Sequence, residues 1–391
     1  MANDKQNTSP NVPNKREQSG IYSGYAERGE LRPQGNVPNL RFPEFTEDWV
    51  KYKISNICKI ATGNKNTQDK EDDGLYPFYV RSQNVERINS WTFDGEAILT
   101  AGDGVGVGKV FHYSLGKIGV HQRVYILSDF NCNGKFLYSY FSSRFYNRVK
   151  RMSAKNSVDS VRMEMIADMP ISIPKEREQI KIGDLLSLLD QRIATQNKII
   201  EDLKKLMVAI RDKELNVIRK RYGLNRQILE LLDYEQPSRY IVSNTKYYDD
   251  SNLIPVLTAN KAFILGYTDE PFGIYDKGQC IILDDFTLDC KLVDFAFKIK
   301  SSAIKILTSK NGISLRYVYE YLNHIGLETT EHKRHYISEI EPMLIAYPDN
   351  NEVVISFCDL MDKFDQKIEI ENKYLQSLLA QKVYLLSNMF I

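Results

Sequence analysis

Two long segments of the chain carry apolar residues at the alternating three- and four-residue spacing of a helical seam. In the first, eight of eleven seam positions between 182 and 217 are apolar, and the C-terminal segment after Pro348 follows the same spacing. A regular stripe of this length exceeds what one ordinary globular helix needs. Both segments are therefore predicted to be coiled-coil-like helices of about 40 residues, roughly 60 Å long, and the first begins just after Pro174.

The two helical segments are copies of one another. Residues 184–203 and 359–378 align at a constant offset of 175, with eight identical positions in twenty. A second match, between MPISIP (169–174) and MLIAYP (343–348), leads into each helix. The chain therefore consists of two cycles of about 174 residues, and a leader of about 43 residues stands outside the repeat.

Both helices place polar residues at equivalent seam positions. Antiparallel packing about a pseudo-two-fold axis would pair Arg192 with Glu371 and Gln196 with Lys367, and polar residues in a seam fix its register. The alternative is that these residues face solvent. The residues predicted to form the helix–helix and subunit interface are Leu185, Leu189, Arg192, Gln196, Ile199, Leu203, Leu360, Phe364, Lys367, Glu371, Tyr374 and Leu378.

The rest of each cycle has short β-prone runs separated by Gly, Asn and Asp, such as YPFYV (76–80) and CIIL (280–283). The predicted fold class is α+β, with two mixed α/β domains joined by two long antiparallel helices in a cyclic, pseudo-two-fold repeat. The predicted boundaries are a flexible leader at 1–39, a first mixed domain at 40–173, a central helix at 174–219, a second mixed domain at 220–347 and a C-terminal helix at 348–391.

Composition narrows the class of protein. The chain has 391 residues and is 42% hydrophobic, which excludes wholesale disorder. No run approaches the ~18 apolar residues of a membrane helix, and the first residues have no apolar signal core, so a cytoplasmic location and no membrane partner are expected. The five Cys form no CxxC pair and the five His have no metal-ligand spacing, which argues against a disulfide framework and a metal site.

The glycine-rich run GDGVGVGK (102–109) fails the test for a nucleotide phosphate loop. The pattern GxxxxGK needs Gly at position 103, which is Asp103, and the residue after Lys109 is Val110. A loop that exposes backbone donors to a phosphate or a base edge, and a purely structural turn, both remain open. No methyltransferase tetrapeptide, helicase phosphate loop or convincing nuclease motif is present, so no catalytic residue is predicted.

The net charge of +1 hides an uneven distribution. Residues 135–162 hold seven basic side chains against Asp159 alone. Interleaved with aromatic residues, this stretch suits a face for backbone phosphates, and the alternative is an ordinary solvated helix face. The counterpart in the second cycle is the shorter HKRH (332–335).

Two unlike α/β globules alternating with two similar helices resemble the specificity subunit of type I restriction-modification enzymes. The segments that carry the resemblance are LRFPEFTEDW (40–49), ILTAGDGVGVGKV (98–110) and PKEREQIKIGDLLSLLDQRI (174–193). The last is similar to the family's signature, in which Pro is followed by Glu-Gln, here Glu178 and Gln179. The C-terminal copy departs from it, because Glu352 is followed by Val353.

The resemblance implies a non-catalytic DNA reader. Each α/β globule would be a target recognition domain for one half of a bipartite, asymmetric double-stranded DNA site, with the helices as spacer and as docking surface for two methyltransferase (modification) subunits. Motor/nuclease (restriction) subunits would join them. S-adenosylmethionine, ATP and magnesium would belong to those partners, with no cofactor in this chain. The alternative is a coiled-coil adaptor or scaffold that reads no DNA.

In such a reader, side chains on exposed loops would contact bases and basic side chains would contact phosphates. The predicted DNA-binding residues are Arg81, Ser82, Gln83, Asn84, Asp103, Lys109, Gln122, Arg123, Arg148, Lys150, Arg151, Lys155, Thr258, Asn260, Lys261, Lys333 and Arg334. The second globule has Asp284, Asp285 and Phe286 where the first has Gly-Asp-Gly, so the loop contacts of the first are not expected there.

Overall fold

The structure, a computed structural model, describes residues 36–104, 106–153, 160–244, 246–258, 263–329 and 333–391. The chain divides into two compact units, the first made of residues 1–188 with 382–391 and the second of residues 189–381. Both mix helices with sheets. Residues 1–35 of the predicted leader, together with Lys155, Asn260 and Lys261, lie outside the described residues.

The first unit is built on a six-stranded sheet with the order β2-β7-β5-β6-β3-β4. Its pairs are antiparallel except β3 with β6, and β1 and β8 form a separate two-stranded ribbon. The elements are β1 (Val50–Lys53), β2 (Lys59–Thr62), β3 (Tyr76–Tyr79), β4 (Glu86–Ile88), β5 (Phe93–Ala101), β6 (Phe111–Val120), β7 (Val124–Ser128), α1 (Gly134–Met152), α2 (Met163–Ala167), β8 (Pro170–Ile173) and the start of α3 (Glu176–Tyr222).

Aromatic residues of α1 supply much of the core of this unit, as their helical spacing predicts. Phe136, Phe141 and Phe145 are fully buried, and Phe136 packs edge-to-face against Trp49 at 5.8 Å between ring centroids. The helix begins at a side-chain cap, since Asn133 Oδ1 accepts the Phe136 amide hydrogen bond at 3.0 Å. The sheet and the basic C-terminal half of α1 are thereby held as one body.

The Glu-Gln pair at the start of α3 fastens that helix to two other segments of the first unit. Glu178 forms a bidentate ion pair with Arg41, with both N–O distances at 2.7 Å and side-chain exposures of only 1% and 5%. Gln179 accepts the Asn133 amide at 2.8 Å and donates to the Pro174 carbonyl at 2.8 Å. Glu178 and Gln179, the part of the sequence that most resembles the family signature, therefore form a buried structural joint that holds the start of α3 in place.

The second unit contains three small sheets, with the orders β10-β16-β13-β14, β12-β11-β15 and β17-β9. Tyr317, Tyr336 and Phe357 are among the side chains of its main core. The elements are β9 (Arg226–Gln227), α4 (Ile228–Leu231), β10 (Leu232–Glu235), β11 (Ile254–Leu257), β12 (Ile264–Thr268), β13 (Cys280–Asp284), β14 (Cys290–Val293), β15 (Lys298–Ile299), β16 (Ile304–Ser309), α5 (Leu315–Ile325), β17 (Leu344–Ile345) and α6 (Asn351–Asn388).

Both long helices are present. The helix α3 has 47 residues and α6 has 38. The end of α3 coincides with Gly223, whose φ of +69° is the left-handed conformation that commonly terminates helices. Its last turn holds Arg219, Lys220 and Arg221, which complement the negative end of the helix dipole.

The buried seam of these helices in the second unit is shifted from the prediction at every other position. Arg192, Ile199, Lys367 and Tyr374 are exposed. In each case the next residue along the chain is buried or partly buried instead. The spacing from Leu189 to the next seam position is therefore four residues where three were predicted, and the same shift recurs along both helices. The observed seam positions are Leu189, Ile193, Gln196, Ile200, Leu203 and Met207 on α3, with Met361, Phe364, Ile368, Glu371, Leu375 and Leu378 on α6. Leu185 and Leu360 are partly buried.

The predicted polar pairs are wrong by about one helical turn. Gln196 Nε2 donates to the Glu371 carbonyl at 3.0 Å and to Glu371 Oε2 at 2.6 Å. Arg192 instead donates to the hydroxyl of Tyr374. Lys367 forms an ion pair with Glu371 on its own helix. The two helices run antiparallel here, because rising numbers on α3 meet falling numbers on α6.

The cysteine chemistry is that of a protein core. All five cysteines are free thiols, and four of them are buried. Burial raises the pKa of Cys58 and Cys280 to about 12, so both are protonated at neutral pH and unreactive. Within the described ranges, no group of three or more His, Cys, Asp or Glu side chains is arranged to hold a metal ion, and no helix is long and apolar enough to cross a membrane.

Candidate nucleic-acid interface

Three predicted residues of the first unit meet where strands β3 and β5 end and β7 begins. Arg81 Nη1 lies 3.0 Å from Asp103 Oδ1, and Arg123 Nε lies 3.6 Å from Asp103 Oδ2. The strand register explains the meeting, since Ala101 pairs with Val124 across β5 and β7. Asp103 therefore stands between two guanidinium groups that are 44% and 65% exposed. We call Arg81, Asp103 and Arg123 the loop cluster.

A second polar contact lies beside the loop cluster. Gln122 Nε2 donates to Asn66 Oδ1 at 2.6 Å, and the Gln122 amide donates to the Lys65 carbonyl at 2.8 Å. Neither Lys65 nor Asn66 was among the predicted site residues. The signal that could have found them is the Gly-Asn-Lys-Asn run at 63–66, a turn-rich stretch directly after a strand.

His121 shapes the turn that carries Gln122 and Arg123. Its side chain is 4% exposed, and its Nδ1 accepts the Arg123 amide hydrogen bond at 3.0 Å. Burial lowers the pKa of His121, and the nearby charges of Arg81 and Arg123 lower it further. The neutral ring that accepts this hydrogen bond is therefore the favoured form at neutral pH.

The glycine-rich loop acts as a structural turn that supports the loop cluster. The amides of Val107, Lys109 and Val110 all donate to carbonyls inside the loop, at 3.0 Å each, so they are not presented to a ligand. A Cβ on Gly106 would sit 2.4 Å from the Arg81 carbonyl oxygen, so only glycine allows this approach. Of the two readings that the sequence left open, the geometry of these amides favours the structural turn.

The segment after β3 is exposed, but its backbone is held by a hydrogen bond from strand β6. Ser82, Gln83 and Asn84 are all exposed, and the Ser82 hydroxyl donates to the Asn84 carbonyl at 3.1 Å. The Nε2 of His112, on β6, lies 3.1 Å from the Ser82 carbonyl and donates to it. Burial lowers the pKa of His112. The loop thus presents polar side chains outward while its backbone is held by a neutral imidazole.

The predicted basic residues on α1 differ in exposure and in the contacts they make. Arg148 is half-buried, and its Nε donates to the Met165 carbonyl at 2.8 Å. Lys150 and Arg151 are exposed near the helix C-terminus. Lys109, from the glycine-rich loop, lies on another side of α1, with its Nζ 5.0 Å from the centre of the Tyr146 ring.

In the second unit the predicted basic pair is close to acidic groups. Lys333 Nζ lies 3.1 Å from Glu339 Oε1, and Arg334 Nη1 lies 4.0 Å from Asp285 Oδ2. Asp285 is 2% exposed and also pairs with the equally buried Lys305 at 3.2 Å. Thr258 directly follows β11. Asp285 also accepts the His335 and Tyr336 amides at 3.1 and 2.8 Å, so it anchors the chain directly after the basic pair, a structural role within the segment that replaces Gly-Asp-Gly.

Known proteins resemble the chain most clearly in its first half. Residues 46–205 match the family described as Type I restriction modification DNA specificity domain. The matched range includes the loop cluster, the glycine-rich loop and the Glu178–Gln179 joint, so it holds most of the predicted first-unit contacts.

Two curated relatives are specificity subunits from Escherichia coli. The chain is 47% identical over 147 residues to the type I restriction enzyme EcoR124I/EcoR124II specificity subunit. This match covers 34% of this chain and 36% of the relative. It is 26% identical over 168 residues to the EcoDI specificity subunit, covering 43% and 37%. The matches thus span less than two fifths of the length of these relatives.

A solved structure shares the fold over most of the chain. The S subunit of a type I restriction-modification system from M. genitalium superposes with a TM-score of 0.62, over 91% of this chain and 99% of that chain. The sequences are only 15% identical, so this likeness concerns the fold. The mixed α/β architecture with long helices is therefore that of known specificity subunits.

Proposed function

We propose that this chain is a non-catalytic DNA specificity subunit of a type I restriction-modification complex. Each mixed α/β unit reads one half of a bipartite, asymmetric site in double-stranded DNA. The observation that carries the proposal is the match of residues 46–205 to the specificity-domain family.

The chemistry of the loop cluster supports base reading in the first unit. Arginine recognises the O6 and N7 atoms of guanine in the major groove, and aspartate accepts a hydrogen bond from the N4 amino group of cytosine. Arg81 and Arg123 are partly exposed on either side of Asp103, which orients both guanidinium groups before DNA arrives. Prior orientation reduces the conformational entropy lost on binding.

The seam contact supports a spacer role for the long helices. Gln196 and Glu371 hydrogen-bond to each other and are also equivalent residues of the repeat, 175 positions apart. A contact between equivalent residues is what an antiparallel pair has at a pseudo-two-fold axis. Helices related in this way would hold two readers at a fixed separation, which determines the spacing between the two half-sites.

The same helices offer an apolar surface for partner subunits. A groove of about 320 Å³ in the second unit lies between α3 and α6 and is lined partly by Val217, Val353 and Phe357. Val217 is 53% exposed and Ile355 on α6 is 51% exposed. Such surfaces commonly mark protein interfaces. In the proposed complex two methyltransferase subunits dock on the helices and motor/nuclease subunits join for restriction. S-adenosylmethionine, ATP and magnesium are used by those partners.

The test is a mobility-shift titration of the full chain with methyltransferase subunits added, repeated over a range of salt concentrations. Salt-dependent binding is expected because phosphate contacts release counterions. Arg123→Gln should weaken binding to the target by about 1–3 kcal/mol if Arg123 reads a base. The control is Lys117→Gln, an exposed lysine on β6 opposite Asp94, at the far end of β5 from the loop cluster. Absence of salt-dependent DNA binding would favour the adaptor alternative.

The target itself follows from a second measurement. DNA modified by the assembled complex is sequenced with a method that reports adenine methylation, which gives both half-sites and their spacing. A symmetric target would contradict reading by two unlike units.

A further inference from the structure

A groove on the first unit gathers three arginines of α1. Arg144, Arg148 and Arg151 follow one another at four- and three-residue steps, which places them on one face of the helix. The groove has a volume of about 400 Å³, within the range of roughly 300–1,000 Å³ that is typical of small-ligand sites. Its other described lining residues are Tyr140, Asn147, Met169 and Pro170. None of these seven residues is acidic.

The positive charge of the groove is not neutralised within the described part of the chain. There, none of the three arginines forms an ion pair, although 26 such pairs occur elsewhere. The charge of Arg148 contributes to lowering the pKa of Asp168, but that carboxylate is already paired with Lys53 at 2.8 Å. Like charges one turn apart on a helix repel each other, so a bound anion would relieve that repulsion.

The arginine side chains are held in place by contacts that use only some of their hydrogen-bond donors. Arg144 lies over the Tyr140 ring at 5.6 Å, and its Nη2 donates to the Phe390 carbonyl at 3.1 Å. Its Nε is buried and has no hydrogen-bond partner among the described residues. Arg148 and Arg151 each use Nε to bond a main-chain carbonyl, at 2.8 and 3.3 Å. Their Nη atoms form no hydrogen bond within the described part of the chain, so these donors are available to an anion in the groove.

We propose that this groove, which is distinct from the loop cluster, binds a phosphate group. Arginine has the fork geometry that phosphate oxygens accept, and three such side chains around one groove match the charge of a phosphate better than that of a carboxylate. The phosphate belongs either to the backbone of DNA, held without regard to sequence, or to a free polyphosphate. Arg144 is a new member of the predicted phosphate-binding residues, since the predicted DNA contacts did not include it.

The experiment compares a charge in the groove with a charge outside it. Arg151→Gln and Lys117→Gln remove one positive charge each from exposed positions of the first unit, but only Arg151 lines the groove, and Lys117 is not among the predicted DNA contacts. A further variant, Arg148→Gln with Arg151→Gln, removes two groove charges. Tryptophan fluorescence reports whether each variant is folded, because both tryptophans, Trp49 and Trp91, belong to the first unit.

Two probes separate the sources of phosphate. The first is a random-sequence duplex, for which the slope of log K against log salt is measured with the full chain. Arg151→Gln should reduce that slope by about 1, and Lys117→Gln should leave it unchanged. The second is inorganic pyrophosphate, measured by calorimetry, for which the double variant should lose at least about tenfold in affinity while Lys117→Gln stays within about twofold.

Each pattern of results is decisive. A difference between Arg151→Gln and Lys117→Gln on the duplex assigns the groove to DNA backbone, and a difference on pyrophosphate alone assigns it to a free polyphosphate. The second result would support the groove as a phosphate-binding site even if the chain bound no DNA and the proposed function failed. Equal effects of the two single variants on both probes, or no binding of either probe by the unsubstituted chain, would overturn the proposal.

Discussion

The joint at the start of α3 yields a sharp prediction about stability. Glu178→Gln keeps the shape of the side chain but removes its charge, which leaves the guanidinium of Arg41 buried with one good acceptor fewer. The two side chains are 1% and 5% exposed, and both of their N–O contacts are 2.7 Å long. Removing one partner of a buried, hydrogen-bonded ion pair costs about 3–5 kcal/mol. Because Gln retains one acceptor oxygen, we expect a loss near the lower end, about 3 kcal/mol.

The measurement is urea unfolding followed by tryptophan fluorescence, which reports on the first unit alone because it contains both tryptophans. Glu176→Gln is the matched control. It removes the same charge from the same first turn, where Glu176 is exposed, and should cost only the ~0.3–1 kcal/mol of the helix-dipole interaction. Arg41→Met combined with Glu178→Gln completes a double-mutant cycle, and a coupling energy of about 2 kcal/mol is expected.

The reasoning fails if Glu178→Gln costs no more than Glu176→Gln. In that case the ion pair would contribute nothing beyond a surface charge. A coupling energy near zero in the cycle would have the same meaning, even if both single variants were destabilised for other reasons.

Three further outcomes are expected. Asp103→Asn should raise the affinity for random-sequence DNA, since a carboxylate facing phosphates is lost, while lowering discrimination between target and random duplexes in competition assays. The first unit should lose stability as pH falls below about 6.5. The reason is that burial depresses the pKa of His112, so the unfolded chain takes up its proton first, and His112→Asn should flatten this pH dependence in thermal melts. Glu371→Leu should cost about 1–3 kcal/mol because one N–H of the buried Gln196 amide loses its acceptor while the bond to the main-chain carbonyl remains, whereas replacing both residues by Leu should be nearly neutral in urea unfolding.

The seam illustrates how far periodicity determines a helix packing. The sequence predicted the long helices and placed Leu189, Gln196 and Leu203 in the seam, where the structure has them. At Ile199 and Ile200 it failed because two apolar residues stand side by side, and only packing against α6 decides between them. At Arg192 and Lys367 the following residue is an isoleucine, so the apolar pattern itself favoured the observed seam and the predicted register was misplaced. The pairing of polar residues then shifted with the seam.

The loop cluster was predictable for a different reason. Arg81, Asp103 and Arg123 are far apart in sequence, but each stands at the end or the start of a recognisable strand. Strand register brings such positions together without any detail of side-chain packing. Lys65 and Asn66 were missed because they belong to a turn whose partner is set by a long-range contact. Arg144 belongs to the basic stretch 135–162 but was not among the predicted contacts, and its long-range bond to the Phe390 carbonyl has no signal in the sequence.

The start of the second long helix is held by a main-chain hydrogen-bond pair, as the first is, but by a different side chain. At the position of Gln179, the main-chain anchor of the first copy, the sequence has Val353, which packs against the core of the second unit. A different residue makes the tie there, since Asn225 donates to the Tyr347 carbonyl and accepts the Tyr347 amide, both at 2.8 Å. An amide side chain that pairs with a main-chain donor and acceptor can replace another from a different point in the sequence. The loss of the Glu-Gln signature in the C-terminal copy therefore does not mean the loss of an ordered helix entry.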